Sequence, residues 1–276
     1  MDNINLIIKP KKISELILNY FKIFFKNIRL LFLFNLFNLV GFYLIIGEVV
    51  GKNFVDDFLQ NYIIKTFCYA LYFMFPVSFI SAFYYTIIQG ERPIFKNIFK
   101  TFSTNYVRIL TSSLALTIAV FTLNLTLKSE LMMYQYENIL TFFLIEFINT
   151  IIYFFIAILT FRLHPYHTNL SKYFSRQTVK YVSTFFILMI ISNLLYRYAF
   201  HLMIGLTDIV EEITAFISPD VFYSYGFIVV EYINAIAIFT VIIYIYFNLT
   251  AEQKNTFAHD EINQIKASTK DELENL

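Results

Sequence analysis

Three ionisable residues fall deep inside long apolar runs of the chain: Glu146, Arg197 and Glu231. Each stands one helical turn from an amide, at Asn149, Asn193 and Asn234, and spacings of three or four residues put each amide on the same helix face as its charge. Counting 1.5 Å per residue, all three charges lie roughly 10–14 Å below the outer ends of their helices. One cation between two carboxylates leaves a net −1, so that one Glu could hold a proton, and such a cluster could line a path for protons or a solute. It could equally lock three helices together, because ion pairs and amide bonds are common between membrane helices. The locking role is favoured, since no broken helix or Gly-rich crossing of the kind transport paths use accompanies the cluster. Both readings stay open here.

The elements that carry these residues follow from composition. The chain has 276 residues, 58% of them apolar and only 15% charged, with a mean hydropathy of +0.61. A soluble domain shows about 45–50% apolar and about 25% charged residues, so lipid must cover the excess. A helix needs roughly 20 apolar residues to cross about 30 Å of hydrocarbon. Six runs qualify: Ile28–Val50, Thr66–Gln89, Tyr106–Leu127, Ile139–Phe161, Val182–Gly205 and Phe222–Phe247. The expected fold is therefore all-α, a polytopic membrane bundle of six transmembrane helices spanning 28–247. A basic segment, 1–27, precedes it, and a polar tail, 248–276, follows it as a frayed helix or without structure.

Most of the 21 basic residues fall before the first span, in the second and fourth loops, or in the tail. The other loops are acidic, with Asp56, Asp57, Glu130, Glu137, Asp208, Glu211, Glu212 and Asp220. With an even number of spans, this asymmetry puts both termini in the cytoplasm.

The segments before spans one, three and five read as amphipathic helices. In the first, Ile13, Leu16, Ile17, Tyr20 and Phe24 oppose a stripe of Glu15, Asn19, Lys22, Lys26 and Arg29. In the second, Ile94, Phe95, Ile98, Phe99 and Phe102 oppose Lys96, Lys100 and Thr104. The third starts at Pro165 and aligns with the second without a gap: Pro93 with Pro165, Asn97 with Asn169, Lys100 with Lys172, Phe102 with Phe174 and Arg108 with Lys180. This implies a unit of one interfacial helix and two spans used three times. Basic helices of this design lie among headgroups, so Lys22, Lys26, Lys96, Lys100, Lys172 and Arg176 are expected to meet anionic lipid on the cytoplasmic side.

The stretch Phe75–Leu123, with its Gln89-Gly90-Glu91-Arg92 turn and the apolar run from Ile109, resembles the YciC-like bacterial inner-membrane proteins. These are similar to the membrane domain of some glycerophosphodiester phosphodiesterases. The last span, where Asn234-Ala235-Ile236-Ala237 precedes Ile243-Tyr244-Ile245-Tyr246-Phe247, is similar too. The resemblance implies a multi-pass protein of the bacterial inner membrane without an assigned reaction, and it supplies no catalytic residues.

Other chemistry finds little support. No His-Glu-x-x-His, Gly-x-Ser-x-Gly or phosphate-binding Gly loop occurs, so no enzyme activity is expected. The lone Cys68 permits no internal disulfide or cysteine metal site. His164 and His167 are expected to be a solvated surface pair and not a metal site. No cofactor or nucleic-acid partner is indicated. The abundance of Phe and Tyr beside absent Trp matches AT-rich codon usage and assigns no aromatic residue to a ligand. The expected function is that of a non-enzymatic membrane protein acting in envelope maintenance or with other membrane proteins. The alternative is a small transporter or proton-coupled carrier.

Overall fold

The computed structural model describes residues 12–51, 58–131, 139–165, 176–213, 229–230 and 232–252. All regular structure within them is helical. The helices are α1 (Ile13–Lys26), α2 (Ile28–Gly51), α3 (Phe58–Ile88), α4 (Phe95–Thr104), α5 (Tyr106–Leu131), α6 (Ile139–Thr160), α7 (Arg176–Ile213) and α8 (Tyr232–Glu252). A 3-10 turn, Phe161–Leu163, closes α6. The molecule is thus an integral, multi-span helical bundle. Five helices are long and apolar enough to cross a membrane, and a sixth crossing appears if α1 and the start of α2, bent by 65°, count as one span.

Several elements outrun their apolar runs. Helix α3 starts at Phe58 and continues through Pro76. Helix α7 extends to Ile213 and so includes Asp208, Glu211 and Glu212, which hydropathy assigns to a loop. Helix formation needs only satisfied backbone groups and tolerant side chains, whereas the span signal needs apolarity, so charged turns lengthen a helix without lengthening the apolar run.

The interior is organised around α8. Every residue from Ile238 to Glu252 is buried. Tyr244 meets α1 through Tyr20 and α3 through Tyr84, Phe239 meets α3 and α5 through Phe73 and Phe121, and Tyr246 stacks on Phe161 of the 3-10 turn. Helix α3 is the other mostly buried element, packed on α5, α4 and α2. Helix α7, by contrast, is buried over only 28% of its apolar window. Burial against neighbouring helices gains contact and hydrogen bonding where lipid would otherwise lie, so close packing marks the structural centre of the bundle.

The expected polar tail does not begin at Asn248. Asn248, Thr250 and Glu252 lie on α8 and are buried. Two of the three have partners inside the protein: Asn248 Nδ2 donates to the Tyr244 carbonyl at 2.9 Å, and Glu252 has partners on α7.

Helices α1 and α4 have one buried side and one open side. On α1, Leu16, Tyr20 and Ile23 are buried, and so is Asn19, which the sequence pattern puts in the polar stripe. Ile13, from the expected apolar face, is exposed instead. On α4, Ile98 and Thr101 are buried while Ile94, Phe95 and Phe99 remain exposed beside Lys96 and Lys100. The third amphipathic segment, from Pro165, lies largely outside the described residues.

The first two junctions share a device. Asn27 occupies the single non-helical position between α1 and α2, and Asn105 does so between α4 and α5. Each side-chain amide donates to the carbonyl four residues back, Ile23 at 2.8 Å and Thr101 at 3.3 Å. Each carbonyl accepts the first bond of the next helix, from Leu31 and Ile109. An amide that serves a helix C-terminus in this way lets the chain turn without abandoning carbonyls. The α3 terminus uses another solution. Gly90 takes a φ of 81°, where a side chain would be strained, and its N–H and that of Glu91 close onto Ile87 and Thr86.

Candidate functional sites in the bundle

Of the expected mid-bundle cluster, Glu146 and Asn149 stand on α6 and Asn193 and Arg197 on α7, two helices that pack together. Glu146 is buried on α6, with 4% exposure, and Arg197 is half-buried on α7. The Arg197 guanidinium lies over the Phe142 ring, 4.4 Å from its centroid. Phe142 is one turn from Glu146 on α6, which packs on α7. Such a cation over an aromatic face gains about 0.5–2 kcal/mol, depending on desolvation. Asn149 and Asn193 are half-buried on the same two helices. Glu231 lies outside the described residues, so its place in the cluster is not described.

Asn234 faces elsewhere. It is 7% exposed on α8 and lines a cleft of about 330 Å³ between α1, α7 and α8. The walls are apolar, with Phe21 and Phe25 from α1, Leu188 and Leu195 from α7, Ile233 from α8, and Val230. Its side-chain oxygen is buried and accepts no hydrogen bond among the described residues.

A second cluster was not foreseen. At the end of the bundle that carries α1 and α4, Lys180 Nζ reaches both carboxylate oxygens of Glu252 at 2.8 Å. The Tyr181 hydroxyl donates to Glu252 Oε2 and stands 3.3 Å from the Asn248 carbonyl. The side chains are 21% and 6% exposed for Lys180 and Glu252, so the pair is shielded from water by protein. The neighbouring Tyr244 hydroxyl donates to the Leu16 carbonyl at 2.7 Å, tying α1 to the same end of α8. Chemically this is a lock: a charge pair and two phenols join α1, α7 and α8. One sequence signal could have found it. Lys180 and Glu252 flank apolar runs on the same side of the membrane, where two helices of opposite direction bring their ends together.

The basic residues expected at the headgroups also separate. Lys22, Lys26, Lys96 and Lys100 are exposed. Lys100 lies 3.3 Å from Glu91 across the α3–α4 turn. Arg176 begins α7, and Lys172 lies outside the described residues. His164 is not solvated as expected. It is fully buried, edge-on to Tyr85 and Phe247 and close to Phe161, because the 3-10 turn folds it under the bundle. His167 lies outside the described residues. Among the described residues no group of three His, Cys, Asp or Glu is placed to hold a metal ion.

No protein-family model, no curated protein and no solved structure matches the chain.

Proposed function

We propose that this chain is a non-enzymatic integral protein of a bacterial inner membrane, related to the YciC-like proteins, that holds or stabilises other membrane components in envelope maintenance. In this reading it crosses six times, with both termini cytoplasmic. Its basic helices rest on anionic headgroups, and its polar groups bind helices to one another. The observation that carries the reading is the closed packing of α8, buried on all sides from Ile238 to Glu252 and fastened at its end by Lys180 and Tyr181. A carrier must open an aqueous route to a central site. A core of this kind supports a scaffold better than a route.

The transport reading keeps one specific observation in its favour, a carboxylate at Glu146 buried midway along α6 near the half-buried Arg197. Reconstitution into liposomes separates the two. A scaffold gives no protein-dependent proton or solute flux, and flux that is lost in Glu146→Gln overturns it. Reporter fusions after Leu276 and at Thr168 should be active in the cytoplasm and a fusion at Asp208 silent; an active Asp208 fusion overturns the orientation.

A further inference from the structure

Two helices at the end of the bundle fastened by Lys180 and Glu252 carry the same short pattern. Phe21-Lys22-Ile23-Phe24-Phe25-Lys26 lies on α1 and Phe95-Lys96-Asn97-Ile98-Phe99-Lys100 on α4, so each reads Phe-Lys-x-x-Phe-Lys. A spacing of four puts the two rings of each copy on one stripe and the two lysines on the next. The rings stack alike in both helices, Phe21 with Phe25 at 6.2 Å between centroids and Phe95 with Phe99 at 6.4 Å. Around each helix a buried stripe, with Ile23 or Ile98, is followed by the ring stripe and then by exposed lysines. The second ring of each pair is open, Phe25 at 61% and Phe99 at 55% exposure.

Position decides what meets these rings. A single residue, Asn27 or Asn105, separates each helix from the long apolar helix that follows it. The rings are therefore held at the level where those helices leave the hydrocarbon, and α1 turns 65° from the start of α2. Exposed rings at that level call for an apolar neighbour, and the lysines beside them call for an anionic one. The boundary between headgroups and acyl chains supplies both.

The consequence is an asymmetry between leaflets. Together α1 and α4 lay about 36 Å of helix, about 10–12 Å wide, along one side of the membrane. Among the described residues, the other end of the bundle carries only the ends of long helices. A helix sunk at the headgroup–acyl boundary spreads the headgroups more than the chain ends below them, so its binding depends on curvature.

We infer that the two Phe-Lys-x-x-Phe-Lys helices form a wedge in one leaflet, and that the protein gathers where that leaflet is convex. The inference rests on the reading that these helices lie among headgroups, and adds the membrane shape that they select.

The test draws a thin tether from a giant vesicle of phosphatidylcholine and phosphatidylglycerol that holds the purified full chain. A fluorophore after Leu276 follows the Glu252 end of α8, and a membrane-impermeant quencher outside the vesicle separates the two orientations. The outer leaflet of a tether is convex. Molecules with the basic end outward should be enriched severalfold in the tether over the flat membrane, and molecules with it inward should be depleted. Phe25→Ser with Phe99→Ser should abolish both effects, whereas Phe25→Leu with Phe99→Leu should keep them. Thermal unfolding in detergent should stay unchanged in both variants, because both rings are exposed. Gln at Lys22, Lys26, Lys96 and Lys100 together should leave the enrichment that pure phosphatidylcholine gives, with no added effect of phosphatidylglycerol. Equal tether ratios for the two orientations of the unaltered protein overturn the inference and leave the headgroup reading intact. Enrichment that survives Phe25→Ser with Phe99→Ser does the same. No effect of phosphatidylglycerol on the unaltered protein overturns the headgroup reading and this inference with it.

Discussion

Helices α7 and α8 run side by side in opposite directions and carry polar groups at two levels, one near the Lys180–Glu252 pair and one near Arg197 and Asn234. At the first level the groups answer each other: an ammonium on a carboxylate at 2.8 Å, a phenol on the same carboxylate, and a second phenol on a backbone carbonyl 2.7 Å away. At the second level Arg197 covers an aromatic face, while Asn234, nearly the same length of helix from that pair, turns to an apolar cleft. The difference teaches that a paired charge with two phenols joins three helices at one level, while a cation over a ring joins α6 and α7 at the other.

The largest effect is expected at the lock. Glu252→Ala leaves Lys180 shielded without its carboxylate and removes the acceptor of Tyr181, and breaking a buried pair from one side costs about 3–5 kcal/mol. Thermal unfolding in detergent should show this loss. The double change Lys180→Met and Glu252→Met should recover much of it, and failure of the double variant to exceed Glu252→Ala would mean that the two do not act as a pair.

Next in size is Tyr244→Phe, which removes one hydrogen bond to the Leu16 carbonyl and should cost about 1 kcal/mol. Its particular mark is local. Helix α1 should become more accessible to protease while the rest of the bundle is unchanged, and uniform protection of α1 would show that apolar packing alone holds it.

Arg197→Met removes the contact with the Phe142 ring and should cost at least the about 0.5–2 kcal/mol that such a contact gains. A loss as large as that of Glu252→Ala would sharpen the comparison in the opposite direction and restore a charge lock at the second level. The triple change Arg197→Met, Glu146→Gln and Glu231→Gln should keep both stability and complementation in cells if these groups only join helices. A stable but inactive protein would favour a transport path.

The smallest effect belongs to the exposed pair Lys100–Glu91, where Lys100→Gln should change stability by about 0–1 kcal/mol, less at high salt.

The sequence made the spans legible because crossing lipid demands a long uninterrupted apolar run, and that demand is local. Ile28, Tyr106 and Ile139 begin helices where the apolar runs begin. Helix ends were less legible. Asp208, Glu211 and Glu212 continue α7, and Asn248 to Glu252 continue α8, because nothing local reveals that a polar side chain has its partner on another helix. The same reason hid the lock and the burial of Asn19, which helical periodicity assigns to solvent, and of His164, which its basic loop assigns there. The mid-bundle cluster was half legible. Glu146 and Arg197 stand on adjoining helices, and Arg197 covers Phe142, one turn from Glu146. Asn27 and Asn105, which turn the chain between interfacial helix and span, were present to be read and fit the proposed repeat at its first two junctions.

The account rests on α8 being closed to water. With Cys68 changed to Ser, single cysteines at Thr240, Ile243 and Asn248 should resist a water-soluble maleimide in native membranes from either side, while a control at Lys96 reacts. Labelling at successive inner positions, blocked only after unfolding is prevented by mild fixation, is not expected from this packing. Rapid labelling of Thr240→Cys and Ile243→Cys in the folded protein would establish an aqueous route along α8 and contradict the scaffold.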